Sequence, residues 1–128
     1  METSALPKIL VADDDFEIQK MVKAALQPIG ATLITADDGE QAIEKLLTEK
    51  PDLIILDVMM PRLSGWEVAK YIHQRKELKD VRILMLTGIG EKVNDATSPL
   101  VGADDYIDKP FTFEDLAERV RKLLGNHT

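Results

Sequence analysis

Asp52-Leu53-Ile54-Ile55-Leu56-Asp57-Val58-Met59-Met60-Pro61 decides how the chain is read. Four consecutive large apolar residues stand between two aspartates. Both alternating faces of Leu53-Ile54-Ile55-Leu56 are apolar, so a strand there is covered on both sides, as in a parallel sheet. Two further runs have the same character, Lys8-Ile9-Leu10-Val11-Ala12 and Arg82-Ile83-Leu84-Met85-Leu86. Thr32-Leu33-Ile34-Thr35 alternates more and fits a place nearer an edge, and Tyr106-Ile107 is a weak fifth strand.

Helical patterns lie between the strands. Ile18, Met21, Val22, Ala25 and Leu26 follow the spacing of one helix face, stopped by Pro28 and Gly30. Ile43, Leu46 and Leu47 mark a second helix ending before Pro51. Trp66, Ala69, Tyr71 and Ile72 mark a third, and Leu116, Ala117, Val120, Leu123 and Leu124 the last. Ser64-Gly65-Trp66-Glu67 has the form of a capping box, Asp38 with Gln41 is a variant of it, and Thr112 suits an N-cap. The segment 91–101 is a poor helix, because Pro99 removes a backbone donor and biases Ser98 away from helical angles. Five β–α steps in succession predict a three-layer α/β domain on a five-stranded parallel sheet with right-handed crossovers. With 128 residues, the chain is expected to form one domain over 1–128, its core about 8–124.

Bulk properties narrow the function. An apolar fraction of 45% and a charged fraction of 30% belong to a soluble globular chain. No apolar run reaches the ~20 residues of a membrane span, and Met1-Glu2-Thr3-Ser4 does not open a secretory signal. The absence of Cys excludes disulfide and thiolate chemistry. A cytoplasmic location is expected. The formal net charge of −7 repels a phosphate backbone and argues against direct nucleic-acid binding.

In open α/β sheets ligands bind beyond the carboxyl ends of the strands. There stand Asp13, Asp14 and Asp15 after the first strand, Asp57 after the third, Thr87 and Gly88 after the fourth, and Lys109 and Pro110 after the fifth. Crowded carboxylates suit a hard cation such as Mg²⁺, which takes oxygen ligands and keeps waters. Lys109 adds a positive charge and Thr87 a hydroxyl donor, and phosphoryl transfer requires mainly positioning and charge neutralisation. A carboxylate can itself be the nucleophile, giving an aspartyl-phosphate. Singly, each residue has an ordinary structural role: Asp14 or Asp15 as a helix cap, Asp57 in a turn, Thr87-Gly88 as a strand end, Lys109-Pro110 as a surface turn. Four strand ends carrying such groups together are hard to obtain by accident.

The chain resembles the receiver domain of two-component response regulators, stand-alone type, on four stretches. They are Ile9-Leu10-Val11-Ala12-Asp13-Asp14-Asp15, Asp52 to Pro61, Leu86-Thr87-Gly88, and Gly102-Ala103-Asp104-Asp105-Tyr106-Ile107-Asp108-Lys109-Pro110-Phe111. The resemblance implies a doubly wound, flavodoxin-like sheet of order 2-1-3-4-5. It implies Asp57 as phosphoacceptor, with Mg²⁺ held by Asp13, Asp14, Asp57 and the Met59 backbone carbonyl. Thr87 and Lys109 would contact the phosphoryl group, Thr87 and Tyr106 would switch, and Lys109–Pro110 would be cis. Gly65 would allow the turn before the third helix. Asp15 is read as a cap and Asp104 and Asp105 as structural. His73 and His127 match nothing and are read as solvated, and Trp66 as core or rim packing.

The implied function is a phosphorylation-dependent signalling switch and not an enzyme, apart from catalysing its own phosphorylation and dephosphorylation. Its partners would be a histidine kinase or histidine phosphotransfer protein, an unnamed downstream protein, and a weak homodimer, with no nucleic acid and no membrane. In the family the positions two after the acceptor and two after the threonine tune phosphate lifetime. Here they are Met59 and Ile89, both apolar, so slow self-dephosphorylation is expected. Pro99 puts dimerisation through the fourth-helix face in question. The competing enzyme reading, a phosphatase of the haloacid dehalogenase type, wants a second Asp where Met59 stands. A flavodoxin-like cofactor site wants a Ser-, Thr- and Gly-rich loop where the three aspartates stand.

Overall fold

The computed structural model describes residues 6–88 and 102–125. Ile89, the 91–101 segment with Pro99, and His127 lie outside the described residues. Five parallel strands form one sheet: β1 (Lys8–Ala12), β2 (Thr32–Ala36), β3 (Leu53–Asp57), β4 (Arg82–Thr87) and β5 (Asp105–Asp108). Their order is β2-β1-β3-β4-β5. The more alternating segment and the weak one are therefore the two edges. The four described helices are α1 (Phe16–Leu26), α2 (Gly39–Glu49), α3 (Gly65–His73) and α4 (Phe113–Leu123).

The ends of these elements follow local chemistry. Asp15, Asp38, Ser64 and Thr112 each accept from a backbone N–H in the first turn of the helix that follows. Ser64 and Glu67 complete a reciprocal capping box. The second box differs from the expected form, because the Gln41 side chain accepts from the Asp37 N–H instead of that of Asp38. After α1 the chain tightens into a 3₁₀ turn over Gln27–Ile29 and leaves it through Gly30 at φ 78°. Lys50 closes α2 in the left-handed region, since Pro51 disfavours a helical residue before it.

The core is two layers separated by the sheet. On one face Leu10, Ile54, Leu56 and Met85 meet Ala42 and Leu46 of α2 and Val68 and Ile72 of α3. On the other, Val11, Ile55, Leu84 and Leu86 meet Val22 and Leu26 of α1 and Leu116 and Val120 of α4. All five β3 side chains are buried. Each large apolar one contributes about 1.5–3 kcal/mol of burial, which anchors the strand whose last residue is Asp57.

Candidate functional site

β1 ends by delivering Asp13 into the interior. Asp13 is 0% exposed. Its Oδ1 accepts from the Asp15 N–H at 2.9 Å. Its backbone is pinned on both sides: its N–H donates to the Ala36 carbonyl, and its carbonyl accepts from Gln19 Nε2 at 2.7 Å. Gln19 also donates to Asp37 Oδ1 at 3.0 Å, so one buried amide ties α1 to the ends of β1 and β2. Gln19 was not singled out from the sequence. The signal is a polar residue in register with Val22 and Leu26 on a buried helix face.

Asp57 is buried at the end of β3. Lys109 Nζ donates to its Oδ1 at 3.0 Å and lies 3.7 Å from Asp13 Oδ2. The Lys109 side chain is 28% exposed, so the ammonium caps the two buried carboxylates from the solvent side. The Lys109–Pro110 peptide is cis. Oxygens of Asp13, Asp14 and Asp57 lie within 4.8 Å of one another, Asp14 being the exposed member. Asp13 Oδ2 is buried without a hydrogen-bond partner among the described residues.

Burial pushes the Asp13 carboxyl up to about 6. The Asp15 N–H opposes this, and repulsion from Asp57 adds to it. Asp57 is also raised, first by burial, with the Lys109 hydrogen bond, the Lys109 charge and the Met59 N–H opposing. Two buried carboxylates, one of them with an orphaned oxygen, and a third at the rim form a hard-oxygen donor set that fits a divalent cation. The cation would restore the solvation that burial removed.

Other predicted residues fall around this centre. The Thr87 side chain is fully buried, but its hydroxyl faces away from Asp57: it donates to Asp108 Oδ1 at 2.8 Å, with the Ile107 carbonyl at 3.4 Å. Side-chain alternation explains this. Asp57 continues the Leu53–Ile55 face, which packs on α1 and α4, whereas Thr87 continues the Ile83–Met85 face. Tyr106, paired with Met85 in the parallel ladder, lies on the Thr87 face. Its ring centroid is 6.2 Å from that of Trp66, and its hydroxyl accepts from the Ala103 N–H. Trp66 is thus an aromatic contact of Tyr106 as well as rim packing.

Met59 is 63% exposed beside Asp57. A Cβ on Gly65 would run into the Asp57 carbonyl oxygen and stand 2.9 Å from Val58 Cα, so this glycine is required by a close backbone approach and not by a left-handed turn, its φ not being positive. Asp104 has a definite structural role. Its N–H donates to the Ile83 carbonyl and its Oδ2 accepts from the Ile83 N–H, which fastens the chain to the start of β4. His73 is exposed, as expected, and its Nε2 additionally bonds the Gly102 carbonyl at 2.9 Å. Asp108, quoted only within a matching stretch, was not recognised as the Thr87 partner.

The family profile for the response regulator receiver domain matches residues 9–121. The chain belongs to this family. The receiver is 45% identical over 117 residues to the alkaline phosphatase synthesis transcriptional regulatory protein PhoP of Bacillus subtilis, covering 91% of the chain and 48% of that protein. It is 40% identical over 116 residues to the phosphate regulon transcriptional regulatory protein PhoB of Pseudomonas aeruginosa, covering 91% of the chain and 51% of that protein. Among solved structures it superimposes on the chemotaxis response regulator CheY4 of Vibrio cholerae with a TM-score of 0.84 at 34% identity, over 93% of this chain and 99% of that one. The receiver domain of Francisella response regulator 1452 gives 0.82 at 32%, over 94% and 98%.

The fold expectation, order 2-1-3-4-5 included, therefore holds for the receiver, as does its place in a phosphorylation-dependent signalling family. The phosphatase alternative finds no support. The receiver spans about half the length of the curated relatives it matches, and these are transcriptional regulators by name. The net charge of −7 bears on the receiver's own surface alone, and relatives that are transcriptional regulators leave the expected exclusion of nucleic acid without support. Among the described residues no helix is long and apolar enough to cross a membrane.

Proposed function

We propose that Asp57 is the phosphoacceptor of the switch, taking its phosphoryl group from a phosphohistidine on a histidine kinase or histidine phosphotransfer protein. Asp13, Asp14, Asp57 and the Met59 carbonyl would hold Mg²⁺, and the outcome is altered binding of a downstream protein. The observation that carries this reading is Asp13 Oδ2, buried within the cluster formed with Asp57 and Asp14, without a hydrogen-bond partner among the described residues and with the Lys109 ammonium at 3.7 Å, too far to hydrogen-bond it. Such an oxygen is costly unless a cation or donor meets it.

When bound, Mg²⁺ would supply positive charge to the phosphoryl oxygens. In the transfer an Asp57 carboxylate oxygen bonds to phosphorus as the N–P bond to the donor imidazole breaks. The imidazole nitrogen keeps the electron pair and takes up a proton. Lys109 holds Asp57 in place and offers its ammonium to the incoming anion. The Thr87 hydroxyl, turned from its present partner, would donate to the phosphoryl group, and Tyr106 would follow. The receiver in this reading catalyses its own phosphorylation. Loss of phosphate is slow, because the Met59 side chain, like that of Ile89, cannot orient an attacking water by hydrogen bonding.

The test is incubation with Mg²⁺ and acetyl phosphate, followed by intact mass and Trp66 fluorescence in the wild type and Asp57→Asn. The expected result is a gain of one phosphoryl group in the wild type alone. No gain in the wild type, or an equal gain in the variant, refutes the assignment.

A further inference from the structure

The Thr87 hydroxyl is held by residues of β5. Thr87 and Asp108 are directly paired across β4 and β5, and paired residues of a parallel ladder share a face. The pairing is fastened one residue on, where the Lys109 N–H donates to the Thr87 carbonyl at 2.7 Å. Asp108 is thereby held where its Oδ1 receives the Thr87 hydroxyl at 2.8 Å, closer than the Ile107 carbonyl at 3.4 Å. Asp108, the last residue of β5, and Lys109, the first beyond it, point to opposite faces of the sheet. Lys109 reaches Asp57, and Asp108 reaches Thr87.

We propose that Asp108 is a positioning residue for Thr87, its carboxylate holding the hydroxyl away from Asp57 so that phosphorylation must displace this bond before Thr87 can reach the phosphoryl group. The inference rests on Asp57 being the phosphoacceptor and adds a determinant of how readily the phosphorylated receiver converts. A threonine hydroxyl has one hydrogen, so it cannot donate to Asp108 and to a phosphoryl oxygen together. A carboxylate is a stronger acceptor than a neutral carbonyl, so the competition is uneven. Threonine is stiff at χ1, so the hydroxyl moves between discrete rotamers and does not drift between partners. Without Asp108, the longer Ile107 contact is what opposes the change among the described residues.

The test measures binding of beryllofluoride with Mg²⁺, a phosphoryl mimic, through Trp66 fluorescence. Four proteins form a double-mutant cycle: wild type, Asp108→Val, Thr87→Ala and the double variant. Asp108→Val should tighten apparent binding about five- to tenfold, as expected when a competing charged hydrogen bond is removed. In the Thr87→Ala background the same substitution should change binding by less than about twofold.

Equal tightening in both backgrounds marks a general charge effect on an anion and overturns the proposal, as does no tightening in the wild-type background. If Val disturbs the edge strand, Asp108→Asn keeps the shape with a weaker acceptor and should tighten binding about two- to threefold. No change there overturns the proposal equally. Acetyl phosphate labelling separates this inference from its premise. Failure of the wild type to gain mass refutes the phosphoacceptor reading and this proposal with it, whereas normal labelling with an unaltered Asp108 variant refutes this proposal alone.

Discussion

Asp13→Asn should stabilise the metal-free receiver at neutral and alkaline pH. The Asp13 carboxyl is moved from 3.8 to about 6 by burial and by the Asp57 charge. Such a difference corresponds to on the order of 3 kcal/mol between its protonated and ionised forms. Because the folded value lies above the unfolded one, the associated stability is fully present below about pH 4 and is lost as pH rises through about 6. Asparagine never ionises, so it avoids that loss while its Oδ1 can still accept from the Asp15 N–H.

Two terms oppose the gain. Lys109 gives up a 3.7 Å ion pair, which is worth under about 1 kcal/mol for a part-exposed cation, and the new amide must find an acceptor. The net expectation is about 1–2 kcal/mol at pH 8, or a rise of roughly 3–8 °C in melting temperature for a domain of this size. The assay is urea and thermal unfolding with EDTA at pH 8 and near pH 4. The advantage of the variant should shrink toward zero at the lower pH. A destabilised variant at pH 8, or an advantage independent of pH, would refute the assignment of Asp13 as a buried carboxylate held ionised against its environment.

On the proposed reading the same carboxyl would govern the cation. Mg²⁺ binding followed by Trp66 fluorescence should weaken by up to about tenfold per pH unit below about 6, since a protonated Asp13 must lose its proton to ligate; affinity unchanged between pH 7 and 5 would contradict this. Gly65→Ala should cost more than about 2 kcal/mol in urea unfolding, because the added methyl meets the rigid backbone of Asp57 and Val58 and no flexible side chain. A change below about 0.5 kcal/mol would show that the β3–α3 connection yields.

Much of this fold was legible because its signals are local. Leu53-Ile54-Ile55-Leu56 has no polar face, which suits only a strand covered twice, and β3 is the middle strand. Ser64, Thr112 and Asp15 announced helix starts that the structure contains. The convergence of Asp13, Asp57 and Lys109 was also readable, since strand ends share one rim and these three meet there. What was not readable depends on register. The Thr87–Asp108 bond follows from which residues of β4 and β5 stand opposite each other, and nothing local in Tyr106-Ile107-Asp108 sets that pairing. Gln19 is similar: its amide bonds three groups at the ends of β1 and β2, which come together only after folding. The contact that the exposed His73 makes is equally non-local, because the Gly102 carbonyl is 29 residues away in the chain.

The alternation that sends Asp57 to one side of the sheet and Thr87 to the other has a consequence for how such a protein can diversify. The sheet insulates two trades. Side chains around α1 and α4 share a layer with the carboxylates, and on the proposed reading would be the ones to alter for a different phosphoryl donor. Side chains around Tyr106 and Trp66 belong to the opposite layer, and would be the ones to alter for a different listener. Among the described residues, Asp108 and Lys109 stand next to each other where β5 ends and reach the two layers separately, so on the proposed reading a change at either would be felt where sender and listener meet.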